Sequence, residues 1–461
     1  VTYVNSKRRI YVFLALFLGI VGIQTAQSVE FKGNGSYLIK NVKVFNVHSR
    51  RFSKLQDVLV RNGKVSQVAA KIDEDKALVI QGKSRFLVPG FTEMHAHVPP
   101  QRITDKERDR LLFLYSAYGI TTIRGMLGHP SHLKLRDKLA RNEINGPRLL
   151  TSGPSFNGGS VYSVSGARGM LKAQIDKGYD FVKVHPGMSD AEFSAMAVQA
   201  KLKGHPFGGH VTAESGIVKV ARMGQTTIDH LDGMFQELGR RSGTRLPSDI
   251  GFFGSAIVDL IDESHIWGLA KELAKTGVAI VPTQSLMYGF VSPELPEDSA
   301  RREAMKLMPK GTVQRWKATR RAVHENSGYT REKALKFLEL RRQFVKAFHR
   351  SGGLVLLGSD APQVFNVPGD SLHVEMAMMV DAGLSPAEVL RSASILPAAH
   401  FGKDDEYGSI EPGKSADFVL LANNPLDNIH HTRGIKGVMT RGRWLSDNEI
   451  KRRLYEIKQA K

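Results

Sequence analysis

Residues 87–97 read LVPGFTEMHAH, an apolar run broken by a Pro-Gly pair and then a strand-like run ending on two histidines. Successive side chains of a strand alternate faces, so His95 and His97 project to the same side. Such a pair arises easily by chance, and its weight comes from the rest of the chain. GITTIRG (119–125), PRLLTSG (147–153), FVKVH (181–185), PFGGHV (206–211), TTIDHL (226–231), VAIVPT (278–283) and LVLLGSD (354–360) are further short apolar runs, eight with the first. Helix-like segments such as KERDRLLFLYSAY and DAEFSAMAVQAKLKG separate most of them. Buried strands alternating with amphipathic crossovers indicate a parallel sheet. Eight such units predict an α/β fold, a (β/α)8 TIM barrel, whose active end is the C-terminal end of its strands. His210, His230 and Asp360 each fall at that end of a separate expected strand.

The texture changes on either side of this region. YLIKNVKVFNV, DVLVRNGKVSQVAA and ALVIQG alternate apolar and polar residues around the turn residues Asn62 and Gly63, as antiparallel strands of a hairpin do. GSIEPGKSADFVLLANNP and IKGVMTRGRWL repeat that texture near the C-terminus, punctuated by Pro412 and Gly413. The two chain ends are therefore expected to share a small β-sandwich domain, residues 29–88 with 401–461, around a barrel at 89–400. Residues 284–350 are too long for one barrel connection and predict extra charged helices, either a lid over the strand ends or an external decoration.

Lys7, Arg8 and Arg9 precede the apolar run IYVFLALFLGIVGI at 10–23 and then QTAQSVE. That is the pattern of a signal peptide, expected at 1–28 with cleavage after Ser28 and a secreted or periplasmic destination. The run is shorter than the roughly 20 residues of a bilayer-spanning helix, so no stable membrane insertion is expected. Hydrophobic residues at 41% and charged residues at 24% are those of a folded soluble domain. A formal charge of +20 would suit an anionic partner, yet the basic residues are dispersed and carry no nucleic-acid motif, so no specific nucleic acid is expected.

Cysteine is absent, which excludes disulfides and thiolate ligands. A transition metal would have to be held by imidazole, carboxylate or a modified lysine. Lys183 sits among apolar neighbours in DFVKVH, where an unpaired ammonium is costly. Either it pairs with a carboxylate such as Asp360, or its neutral amine reacts with carbon dioxide to give a carbamate, an anionic oxygen ligand able to bridge two cations.

GFTEMHAHV, GITTIRG, FVKVHPG, GGHVTA, TIDHLDG and LLGSDAP, in this order, resemble the amidohydrolase superfamily. Within it the chain is similar to the imidazolonepropionase-like branch, which includes Xaa-Pro dipeptidases. VPGDSLHVEMAMMVDAGLSPAEVLRSASILPAAHFG and GSIEPGKSADFVLL carry that likeness too. The resemblance implies that His95, His97 and Asp360 bind the more buried metal and that His210 and His230 bind a second. It also implies that N-carboxylated Lys183 bridges the two. One or two zinc ions are the expected cofactor, other divalent metals being compatible with the same donors. Metal coordination lowers the pKa of water towards about 7, and Asp360 is the expected catalytic proton carrier. The implied reaction is hydrolysis of an amide C–N bond in a dipeptide, N-acyl amino acid or related small molecule by a homo-oligomeric enzyme. Lactone or ester hydrolysis on the same site, and a non-catalytic metal- or ligand-binding envelope protein, are the alternatives.

Two positions depart from the family pattern: Glu93 stands where aspartate is more usual, and Gly125 where an acidic residue often stands. Among other candidates, His185 is placed to share the pocket, and His373 either packs behind strand eight or orients a ligand. Arg124 and Tyr288 are candidates for a substrate carboxylate. His129, His132, His265, His324 and His349 read as surface residues.

Overall fold

In a computed structural model the fold is described for residues 35–99, 103–326 and 328–460; the expected leader at 1–28 lies outside them. Four strands come first: β1 (Tyr37–Asn46), β2 (Arg51–Arg61), β3 (Lys64–Ala69) and β4 (Leu78–Pro89). The β2–β3 hairpin turns at Asn62 (φ 50°) and Gly63 (φ 76°), the left-handed pair of a tight hairpin. Eight parallel barrel strands come next. They are β5 (Phe91–Ala96), β6 (Ile120–Gly125), β7 (Arg148–Thr151), β8 (Val182–Val184), β9 (Phe207–Gly209), β10 (Thr227–Asp229), β11 (Ala279–Val281) and β12 (Leu354–Val355). Each lies inside one of the eight runs read from the sequence.

The ladders run β5–β6–β7 and β8–β9–β10–β11–β12. Single parallel bridges join Ser152 to Phe181 and Ala96 to Ala361, which closes the ring. The second seam is reinforced where Met94 N donates to Leu357 O, Asp360 N to His95 O and His97 N to Ala361 O, each at 2.9 Å. The last strand is regular only over two residues because its continuation curls inward, Asp360 adopting φ 63°.

β13 (Phe418–Leu421), β14 (Ile435–Thr440) and β15 (Arg443–Ser446) join the N-terminal strands in one mixed seven-stranded sheet, ordered β15-β14-β13-β4-β1-β2-β3. The β2–β3 hairpin folds onto the segment that leads into β13: Val65 N donates to Lys414 O at 2.9 Å and Ala416 N to Gly63 O at 2.8 Å. Ile39, Val58, Val60, Leu87, Phe418 and Met439 fill the interior of this sandwich.

Residues 284–350 form an added helical layer: Gln284–Val291, Pro296–Arg301, Lys310–His324 and Arg331–Arg350. The last of these helices buries Phe337, Leu340, Phe344 and Phe348 along one face at helical spacing. It is more than an external decoration, since its buried Arg341 reaches the barrel mouth. Among the described residues no helix is long and apolar enough to cross a membrane.

Two buried histidines tie elements together away from the barrel mouth. His373 Nδ1 meets Thr432 Oγ1 at 2.9 Å and Nε2 meets Tyr118 O at 3.0 Å, so it packs and does not orient a ligand. His132, expected at the surface, is buried with Nε2 3.3 Å from Pro99 O. The helix Ser131–Ala140 faces inward at His132, Leu135 and Leu139, an i, i+3, i+7 stripe that a lone polar residue obscures. Burial pushes both imidazoles down to about 4. A folded-state pKa below that of the unfolded chain gives stability that is complete above the unfolded value of about 6.5 and lost as pH falls through the folded one. The melting temperature is accordingly expected to decline as pH drops from about 6.5 to about 4. A His373→Gln variant should show a shallower decline by scanning fluorimetry, and equal slopes would remove His373 from this account.

Candidate metal centre

The strand ends that carry the candidate ligands leave the sheet in an unusual way. His230 (φ 64°), Leu231 (φ 55°), Thr283 (φ 48°) and Asp360 (φ 63°) all have left-handed backbones. Each such residue costs on the order of 1–3 kcal/mol unless its surroundings hold it there. Arg341 supplies part of that hold, donating from Nη1 to His230 O at 2.6 Å and from Nη2 to Pro282 O at 2.7 Å. Glu375 accepts from Gln284 N at 2.9 Å and Ser285 N at 2.7 Å, anchoring the next turn.

All six expected residues meet at this mouth. His97 Nε2 lies 2.7 Å from Asp360 Oδ1, while His95 Nε2 and His230 Nε2 lie 3.8 and 3.7 Å from Asp360 Oδ2. Ligand atoms of His95, His230 and Asp360 all fall within 4.8 Å of one another, a buried His/His/Asp cluster able to chelate a divalent metal. The ring centroids of His95 and His97 are 5.6 Å apart, and those of His210 and His230 are 4.8 Å apart. The tightest cluster thus takes one histidine from each pair. His95, Lys183, His230 and Asp360 form a buried floor, and His97, His185 and His210 a partly exposed rim. His185 stacks on His210, with centroids 4.9 Å apart and planes at 27°.

Three groups that the sequence did not single out as ligand partners orient these imidazoles. Asp229 Oδ2 lies 2.8 Å from His95 Nδ1, turning Nε2 towards Asp360. Asp232 Oδ2 is 3.1 Å from His210 Nδ1 and accepts from Val211 N at 3.0 Å. Thr283 Oγ1 is 2.8 Å from His230 Nδ1. A signal for Asp229 was present: Thr227 and Asp229 in TTIDHL are two apart, on the same side of a strand, beside His230. Their shared partner is Arg124, whose Nη2 donates to Thr227 Oγ1 at 2.9 Å and whose Nη1 is 3.8 Å from Asp229 Oδ1. Arg124 is therefore not free for a substrate carboxylate; it is fully buried, with its guanidinium 4.6 Å above the Phe181 ring. Tyr288 is also engaged, its hydroxyl donating to Glu294 at 2.6 Å. Glu93 turns away from the ligands and accepts from His95 N at 3.0 Å and Ser359 N at 2.8 Å, cross-linking the first and last strands.

Burial dominates the electrostatics. It drives His95 and His230 well below the usual imidazole range, helped by Lys183 and neighbouring histidines, so both are neutral, the form that ligates metal. Burial raises Glu93 to about 8. Burial alone would raise Asp229, but Arg124, Lys183 and His230 together hold it below the ordinary carboxylate value. Lys183 is pushed down to about 8 by burial against the pull of Asp229 and Asp360. Its Nζ is buried without a hydrogen-bond partner among the described residues, so the alternative of a direct pairing with Asp360 is not made. An orphaned buried amine beside neutral imidazoles and two carboxylates fits a cation held by nitrogen and oxygen donors.

Residues 86–445 match the family model described as the amidohydrolase family. Among curated proteins, the chain is 22% identical over 397 residues to an adenine deaminase of Desulforamulus reducens, covering 83% of this chain and 54% of that protein. It is 35% identical over 111 residues to an imidazolonepropionase of Symbiobacterium thermophilum, covering 22% of this chain and 25% of that protein. The chain thus spans about half, or less, of the curated relatives it matches. Among solved structures, it superposes on a bottromycin amidohydrolase with a TM-score of 0.70 at 20% identity, covering 92% of this chain and 90% of that one. It superposes on an Xaa-Pro dipeptidase with bound methionine in the active site with a TM-score of 0.64 at 17% identity, covering 89% and 100%.

Since Asp229 lies 2.8 Å from His95 Nδ1, Asp229→Asn should weaken the binding of a divalent metal, probed with zinc, about 10- to 100-fold in a chelator competition while leaving the circular-dichroism spectrum unchanged. Unaltered zinc affinity would make Asp229 a packing residue only.

Proposed function

The chain belongs to the amidohydrolase family, and on that footing we propose that it hydrolyses an amide C–N bond in a dipeptide, an N-acyl amino acid or a related small molecule. The observation that carries the proposal is the meeting of Asp360 with three imidazoles, 2.7 Å from His97 and 3.7–3.8 Å from His230 and His95, beside the orphaned Lys183 amine. His95, His97, His210, His230 and Asp360 would hold one or two zinc ions, with Lys183 N-carboxylated as a further oxygen donor. A zinc ion bound there lowers the pKa of water towards neutrality and polarises a carbonyl. Solved relatives include an Xaa-Pro dipeptidase and an amidohydrolase, names that denote amide cleavage.

The protein's own groups divide the remaining work. Asp360 is buried with Oδ1 facing His97 Nε2 at 2.7 Å and Oδ2 lying 3.7–3.8 Å from His230 and His95, which places a carboxylate at the centre able to accept a proton as water adds to the carbonyl and to return it to the departing nitrogen. Its own N–H donates to His95 O at 2.9 Å across the seam, which fixes its position. Asp229, Asp232 and Thr283 keep the imidazoles in the neutral tautomer that presents Nε2 to the centre. A lysine whose pKa falls to about 8 has an accessible neutral amine, the form that adds carbon dioxide with loss of one proton. The leader pattern at 1–28 supports action outside the cytoplasm, in the periplasm or the medium.

Asp360→Asn is expected to keep the fold and most of the zinc yet lower kcat by about 10²–10⁴-fold on the best substrate of a panel of dipeptides, N-acyl amino acids and lactones. Near-normal turnover would remove Asp360 from the proton transfer, and activity confined to lactones would replace the amide reading with an ester one. With ¹³C-bicarbonate, the wild-type protein should show a carbamate carbon signal that Lys183→Arg lacks; its absence from zinc-loaded wild type would dismiss the N-carboxylated lysine.

A further inference from the structure

Over the rim of the centre lies a feature that none of the proposed chemistry uses. The segment Gly251-Phe252-Phe253-Gly254 opens a 3-10 turn at Phe252–Leu260, and Phe253 there has φ 51° and ψ 30°. A bulky aromatic residue in the left-handed region is an outlier of the kind that persists where the surroundings dictate it. The two flanking glycines make the turn feasible. Both have positive φ, and a Cβ on Gly254 would come within 2.5 Å of Phe235.

The conformation lays the Phe253 ring against two of the site imidazoles, 5.6 Å from His230 edge-on and 5.9 Å from His210 at 34°. Phe252 packs edge-on to Phe253 at 4.8 Å, and Phe290, from the helix Gln284–Val291, lies 4.4 Å from Phe252. All three rings are half-buried, packed against the core and yet partly accessible. Apolar surface held open beside a polar centre gains most when an apolar group of a bound molecule covers it. The second wall segment comes from the helical layer at 284–350, which explains why a region outside the barrel reaches the mouth at all.

Resting on the amide-hydrolase reading, we propose that Phe253, backed by Phe252 and Phe290, is the specificity wall of the substrate site, and that the preferred substrates carry an aromatic or comparably bulky apolar side chain next to the scissile bond. The strained backbone is what aims the ring. An aromatic substrate group would stack on it in the offset or edge-to-face manner of aromatic pairs.

The test compares Phe-Gly and Gly-Phe with Ala-Gly and Gly-Ala on zinc-loaded wild type, Phe253→Leu and Phe253→Asn. Asparagine is at ease in a left-handed backbone, so it removes the ring without disturbing the turn; unchanged zinc content and melting temperature verify this. Wild type is expected to favour its better phenylalanyl dipeptide by at least about tenfold in kcat/KM, chiefly through KM. Phe253→Asn should shrink that preference to about threefold or less, and Phe253→Leu should restore part of it. A preference unchanged in Phe253→Asn, or absent from wild type, overturns the proposal. Binding of phenylacetohydroxamate against acetohydroxamate, measured by calorimetry, reads the same wall without turnover. A wild type that cleaves neither these dipeptides nor any N-acyl amino acid of the panel, yet binds the aromatic hydroxamate at least tenfold more tightly, with that ratio lost in Phe253→Asn, refutes the amide reading and upholds the wall. A ratio near one in wild type refutes the wall alone.

Discussion

The seam between the first and last barrel strands governs this molecule. His95 and His97 stand on one side of it and Asp360 on the other, and the bonds that close the ring are made by the ligand residues' own backbone: Asp360 N to His95 O and His97 N to Ala361 O. Glu93 staples the same seam from its side chain, gripping Ser359 through N and Oγ. A parallel ladder with so few regular pairs is weak on its own, and the Glu93 staple supplements it. Closing the barrel and assembling the centre are consequently one event, since the seam cannot part by an ångström without separating Asp360 from His97.

Charge balance on the barrel floor is the second constraint, and it derives from the first because closure removes water. Arg124, Asp229, Lys183 and Asp360 are all buried, where an unpaired charge costs several kcal/mol or changes its protonation. Arg124 and Asp229 offset each other's charge at 3.8 Å, with Arg124 also held by Thr227 and the Phe181 ring and Asp229 lying against His95. That leaves Asp360, which faces only imidazoles, and Lys183, an amine of lowered basicity with no partner among the described residues. A floor built for stability alone would have paired them directly. An amine held apart from the nearby carboxylate fits the proposed cation standing between them, which is why the structural oddity and the chemical proposal point the same way.

How much of this is legible in the sequence depends on the range of the interaction. Strand positions are legible because burial on both faces writes each barrel strand as a short apolar run, and the residues of the candidate centre are legible because they interrupt such runs at the same end. Glu93 can be seen as a departure, but its staple to Ser359 joins residues 266 apart in the chain and shows only on closure. Asp229 is hidden for the same reason: its meaning lies in Arg124, on another strand, and Arg124 without its partner looks like a ligand for substrate. His132 misleads because one imidazole among Leu135 and Leu139 breaks the apolar stripe that would have marked it as inward. The left-handed backbones of Thr283, His230 and Phe253 have no local signature either, apart from the glycines around Phe253.

Floor and rim obey different physics. The floor is set by short polar contacts between barrel strands, in which a small displacement breaks coordination, so its residues have little freedom to vary without loss of the centre. The rim is set by apolar rings on a 3-10 turn and on an inserted helix, where packing tolerates exchange of one bulky group for another. Arg341 connects the two, for its helix belongs to the inserted layer while its guanidinium holds the backbone of His230. The insertion thus contributes to both tasks: through Arg341 it stabilises the strained ligand loop, and through Phe290 it extends the apolar wall. Removing the layer would therefore damage the centre as well as selectivity, whereas altering Phe253 alone touches selectivity. That asymmetry lets substrate preference change at the mouth while the chemistry beneath it stays fixed.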